Sequence, residues 1–130
     1  MDTVSLAKEL DFIRSYLFLL EIRYENRLAV DWDIPGTISE RRIVPATLQL
    51  LVENVIKHNV IAKKKPLRIR IFLDDQEYLV ISNDLQKKDI TGNSSGFGLN
   101  SIASRYKYLT ERPVVIEDNG QSFIVKIPLI

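Results

Sequence analysis

Two alternating runs, LRIRIFL at 67–73 and YLVISND at 78–84, constrain the fold more than any other stretch of the chain. Apolar residues at every second position mark strands, and Asp74, Asp75 and Gln76 between them are turn formers. Together they predict an antiparallel hairpin. A second hairpin is expected from PVVIED and QSFIVKIPLI, turning at Asn119-Gly120, and RLAVDWDIP reads as a further strand ending in a Pro35-Gly36 turn.

Three helices interleave with these strands. Over residues 4–25, Leu6, Leu10, Ile13, Leu17, Leu20 and Tyr24 follow alternating steps of four and three, a coiled-coil seam. Phe12, Phe18, Leu19 and Ile22 make the rest of that helix unusually apolar, so it is expected to pack on two sides or to belong to a larger assembly; the alternative is a terminal helix lying on its own domain. VPATLQLLVENVIKHNV predicts a second helix with Pro45 in its first turn, and residues 98–109 a third. Between strand and third helix, residues 84–97 collect Gly, Ser, Asn, Thr and Lys without periodicity, as a loop would. Helices and mostly antiparallel strands around one core make an α+β, two-layer sandwich.

The 130 residues suffice for one domain with a real core. With a net charge of +1 there is no electrostatic case for nucleic acid, and with no cysteine and one histidine there is none for disulfides or multi-histidine metal sites. No apolar run approaches the roughly 20 residues of a membrane span, and Asp2, Lys8 and Glu9 interrupt any secretory signal. These features lead us to expect a soluble domain of a reducing compartment, or a soluble piece of something larger.

On the second helix, Leu48, Leu51, Val52 and Val55 share one face, while Glu53, Asn54 and Lys57 fall opposite with His58 at the edge. Two readings fit: the solvated side of an amphipathic helix, or a neutral oxygen ligand one turn from a cation, suited to magnesium-bridged phosphates. For His58 the choice is between a structural hydrogen-bonding residue and a binding-site neighbour. SSGFGLNSIASR at 94–105 is equally double. Gly96 and Gly98 could serve a loop-to-helix joint, or bring a helix N-terminus up to an anion.

LQLLVENVIKHN, LVISND and SSGFGLNSIASRY, in this order, resemble the N box and the two glycine boxes of the ATP-binding (HATPase_c, Bergerat) domain of bacterial sensor histidine kinases. The resemblance is greatest to the LytS-like branch, Bacteroidetes-type, in which a similar NNLQ stretch occurs. AKELDFIRSYLFLLEIRYENRL resembles the segment joining that branch's phosphoacceptor region to its ATPase domain. Residues 1–26 would then be the end of a dimerisation or linker helix and 27–130 the catalytic domain, with helices covering one face of the sheet.

The resemblance implies ATP and Mg2+ as cofactors, with Asn54 the metal ligand, Lys57 a phosphate contact and Glu53 the acidic neighbour that positions or polarises the attacking group. Gly96, Phe97, Gly98 and Leu99 match the phosphate cradle, His58 adjoins it, and Asn83 stands where an aspartate reads the adenine amino group, with Asp84 as the alternative reader. It also implies transfer of a γ-phosphoryl group to a histidine on another domain, relay to a response regulator of LytTR type, a homodimer in the full-length protein, and a cytoplasmic domain of an inner-membrane protein. Two departures stand out: in the first glycine box Leu85 replaces a glycine and Asn83 the usual aspartate, and no separate acceptor histidine is present. ATPases of the wider superfamily place a water-activating glutamate where Leu50 stands here. The alternatives are a superfamily ATPase, an anti-sigma-type kinase, or a degenerate interaction domain that binds no nucleotide.

Overall fold

The computed structural model describes residues 3–86 and 97–130, with the backbone alone for Phe97 and Gly98. Among the described residues the strands and α-helices follow in the order β1 (Val4–Ser5), α1 (Leu6–Tyr24), β2 (Leu28–Asp33), β3 (Arg42–Ile43), α2 (Thr47–His58), β4 (Leu67–Leu73), β5 (Tyr78–Asp84), α3 (Phe97–Lys107), β6 (Val115–Asp118) and β7 (Ser122–Pro128), with short 3-10 turns at Glu25–Arg27 and Gly36–Ile38. Five strands form one sheet in the order β2-β4-β5-β7-β6, and β1 pairs with β3 in a small antiparallel ladder. Only β2 and β4 run parallel within the main sheet; every other pair is antiparallel. This is the α+β sandwich expected from the sequence.

Both hairpins turn where the polar residues require. The Asp74 carboxylate accepts the Gln76 and Tyr78 N–H groups, each at 2.9 Å, closing the β4–β5 turn. Gly120 takes a φ of 85°, and the Asn119 side chain accepts from Gln121 and Ser122 at 2.9 and 2.7 Å. A positive φ is the conformation in which glycine is least penalised.

Alternation gives the sheet one face turned to the helices. Leu67, Ile69 and Ile71 of β4, Leu79 and Ile81 of β5, and Val125 and Ile127 of β7 all face the helices and are buried. The seam of α1 faces this same core: Leu6, Leu10, Ile13 and Leu17 are buried, and Leu20 and Tyr24 pack at its edge. The helix starts at Leu6 rather than at residue 4, because Val4 and Ser5 pair with β3 and the Ser5 hydroxyl accepts the Lys8 N–H as an N-cap. Phe12, Phe18, Leu19 and Ile22 remain outside, each more than half exposed.

The start of α2 departs from expectation. Pro45 lies two residues ahead of the helix, and Ala46, at φ 67°, stands in the cap position without a capping side chain. The missing acceptor comes from α1. Glu9, 6% exposed, accepts the Ala46 N–H at 3.3 Å through one carboxylate oxygen and the Leu48 N–H at 3.2 Å through the other. A non-helical cap residue leaves first-turn N–H groups without intrahelical partners, and a carboxylate there satisfies both the hydrogen bonds and the positive end of the helix dipole.

Glu9→Ala should cost about 1–3 kcal/mol, because it leaves two amides of the buried joint without their acceptor. Thermal unfolding should show a fall of roughly 4–10 °C for a chain of this size. A midpoint within a degree of the native one would mean that water or another group replaces the cap.

Candidate functional site

The outer face of α2 carries the residues singled out by the resemblance. Glu53 and Lys57 are exposed, Asn54 and His58 half-buried. Gln49 donates to the Glu53 carboxylate at 3.0 Å across one helical turn. Leu48, Leu51, Val52 and Val55 on the opposite face are buried. Amphipathic periodicity therefore settles which side of α2 meets the core, and leaves Asn54 and Lys57 on the accessible side.

Asn83 ends the inward-facing row of β5 after Leu79 and Ile81, opposite Ile69 of β4 and Phe123 of β7. It is 1% exposed, and its amide donates to the Asp84 carbonyl at 2.9 Å. Asp84 belongs to the other face of the sheet, where its carboxylate lies 3.9 Å from Arg70. The two candidate base readers are thus separated by the thickness of the strand, with Asn83 on the helix side. Leu99, in the first turn of α3, packs against the core. Phe97 and Gly98 are the first two residues of α3. Gly96 and residues 87–95 of the loop lie outside the described residues.

α2 and α3 touch. Their relative position is fixed by Tyr106, fully buried near the end of α3. Its hydroxyl accepts the Val44 N–H at 3.2 Å and lies 3.0 Å from the Thr47 hydroxyl, which itself donates to the Val44 carbonyl at 2.7 Å. The N-terminus of α2 is therefore held by Glu9 on one side and Tyr106 on the other. Burial, with a smaller contribution from Glu9, pushes the Tyr106 phenol up to about 12 against the opposing pull of its bonds to Thr47 and Val44.

Two residues without an assigned role in the motifs join α2 to β5. Asn59, the residue after α2, is 3% exposed; its amide donates to the Val55 carbonyl and its oxygen accepts the Gln86 N–H, both at 2.9 Å. Gln86 in turn donates from its side chain to the carbonyls of Val60 at 2.8 Å and Lys65 at 3.0 Å. The Val60 N–H returns a bond to the Gln86 carbonyl at 2.7 Å. The α2 end that carries Lys57 and His58 is thereby bound to the chain three residues beyond Asn83. In the sequence Asn59 is the last residue of LQLLVENVIKHN and Gln86 lies two residues after LVISND, and neither position points to the other.

Comparison with known proteins places this geometry. The chain is 30% identical over 107 residues to the sensor histidine kinase BtsS of Escherichia coli, covering 80% of this chain and 19% of BtsS. It is 38% identical over 82 residues to the sensor protein LytS of Staphylococcus epidermidis, covering 62% of this chain and 14% of that protein. The catalytic domain of histidine kinase ThkA superimposes with a TM-score of 0.58 at 14% identity, covering 98% of this chain and 97% of that domain. The fold is that of a histidine-kinase catalytic domain. The chain spans less than a fifth of the length of these two curated relatives. No family model matches it.

The raised phenol has a pH consequence. A group whose folded value lies above its ordinary 10 contributes stability that is complete below pH 10 and lost as pH rises toward about 12. Tyr106→Phe removes that titration, along with the acceptor of the Val44 N–H. Denaturant unfolding should find the variant less stable near neutral pH, with the gap to the native protein closing across that window. Parallel profiles would show that Tyr106 ionises as freely in the folded chain as in the unfolded one.

Proposed function

We propose that this chain is the ATP-binding catalytic domain of a two-component sensor histidine kinase, of the LytS-like branch and its Bacteroidetes type. The observation that carries this is a half-buried Asn54 and an exposed Lys57 on the outer face of α2, together with a buried Asn83 on the helix side of β5, in a fold shared with such domains. Magnesium-bound ATP supplies the γ-phosphoryl group. Its metal would take the Asn54 amide oxygen alongside phosphate and water oxygens, the mixed oxygen shell that Mg2+ prefers. This donor set fits the outer face of α2, where Asn54 is half-buried and Lys57 exposed one turn on.

In this reading Lys57 neutralises phosphate charge from the same helix face, and Glu53 helps position or polarise the attacking group. Gly96, Phe97, Gly98 and Leu99 bring the N-terminus of α3 to the phosphates, with His58 as a neighbour on the α2 side. Asn83 accepts from the adenine amino group through its oxygen; its side of the strand favours it over Asp84, which pairs with Arg70 on the far face. Catalysis is then mainly positioning and charge neutralisation, with little covalent work for this chain. Leu50, where related ATPases place a water-activating glutamate, fits a domain that keeps its phosphoryl group for a protein acceptor.

The acceptor histidine belongs to another domain of the same kinase, and a response regulator, of LytTR type in this branch, receives the phosphoryl group next. Residues 1–26 bring in the helix from the dimeric acceptor region, and 27–130 are the catalytic unit, on the cytoplasmic side of an inner-membrane protein. No helix among the described residues is long and apolar enough to cross a membrane.

Calorimetric titration with a non-hydrolysable ATP analogue, with and without magnesium, tests this reading. Native protein should bind more tightly when magnesium is present, and Asn54→Ala should lose about tenfold or more and most of its magnesium dependence, since carbon cannot replace an oxygen ligand. Equal affinities for the two proteins would remove Asn54 from the metal site. No binding by the native protein would favour a degenerate interaction domain.

A further inference from the structure

The glycine box that follows β5 in the resembled family is altered here, yet the backbone leaving β5 is held on both sides. Leu85, in the place of the first glycine, donates its N–H to the Gln121 carbonyl at 2.9 Å. Gln86, 8% exposed, engages its backbone N–H, its carbonyl and its side-chain amide with Asn59, Val60 and Lys65. Asn59 is anchored to the last turn of α2 through Val55. Two amide side chains thus span a separation of 27 residues in sequence and tie the end of α2 to the end of β5.

We propose that Asn59 and Gln86 are positioning residues of the nucleotide site. They fix the distance between the phosphate side on α2, with Asn54 and Lys57, and the base side on β5, with Asn83. The proposal rests on the nucleotide-binding reading above. Its physical basis is that a ligand held at both ends binds well only when the two ends keep one separation, and buried hydrogen bonds between the two segments hold that separation. The Asn59 side chain bonds through both its nitrogen and its oxygen, and the Gln86 side-chain nitrogen donates twice. Both backbone groups of Gln86 take part in this tie.

Two variants separate positioning from simple stability. Gln86→Met keeps the length of the side chain and removes its two donated bonds; Asn59→Ala removes the bond between the segments and the anchor to α2. A control, Ile127→Val, trims the core on β7, where Ile127 is fully buried, without touching the clamp. Each protein is titrated with adenosine 5′-(β,γ-imido)triphosphate and with the guanosine analogue, both with magnesium, at a temperature where unfolding curves show it fully folded.

The clamp variants should bind the adenosine analogue about tenfold more weakly and show a compressed adenosine-to-guanosine preference, while the control binds as the native protein does. Native affinity and preference in a folded clamp variant would overturn the positioning role and leave the nucleotide reading intact. An equal loss in the control would overturn it too, by assigning the effect to stability. If Asn59→Ala does not fold, Gln86→Met carries the same test. Absence of binding by the native protein would defeat the nucleotide reading, and this role with it.

Discussion

The buried Glu9 carboxylate joins the first helix of the chain to the start of the second, and the candidate site hangs on that joint. α2 begins at a residue with positive φ and no capping side chain of its own, so its first turn depends on an acceptor brought from 37 residues away. Glu9 supplies it from a buried position beside Leu6 and Leu10 of the α1 seam. Tyr106 holds the same corner from α3, through Val44 and Thr47. With its N-terminus held by these two groups and its C-terminus by Asn59 and Gln86, α2 presents Asn54 and Lys57 from a fixed frame.

This arrangement gives α1 two roles. Its inner face completes the core, while Phe12, Phe18, Leu19 and Ile22 stay exposed on the other side. A rotation or translation of α1 would have to carry Glu9 with it, disturbing the first turn of the helix that bears the candidate metal ligand. The helix by which we propose the upstream domain enters is therefore mechanically continuous with the site.

Local chemistry was the legible part of the sequence. Both hairpins could be read because Asp74 and Asn119 satisfy the backbone within their own turns and Gly120 takes the positive φ. The faces of α2 followed from its period, and continuing the β5 alternation puts Asn83 on the side of Leu79 and Ile81. Long-range partners were not legible. The parallel pairing of β2 with β4, the cap from Glu9 and the Asn59–Gln86 clamp all bring together groups whose sequence neighbours give no sign of the partner. Pro45 shows the same limit. Its suitability for a first helical turn is real, but the positive φ at Ala46 and the distant carboxylate move the helix start beyond it.

Amide chemical shifts of the isotopically labelled chain, followed by NMR as a magnesium-bound, non-hydrolysable ATP analogue is added, test the nucleotide site most directly. Saturable changes should gather on the outer face of α2 around Asn54 and Lys57, at Asn83 on β5 and in the first turn of α3 near Leu99. Changes confined to the exposed face of α1 or to the sheet face bearing Arg70, or no saturable change at all, would contradict a nucleotide site between these elements.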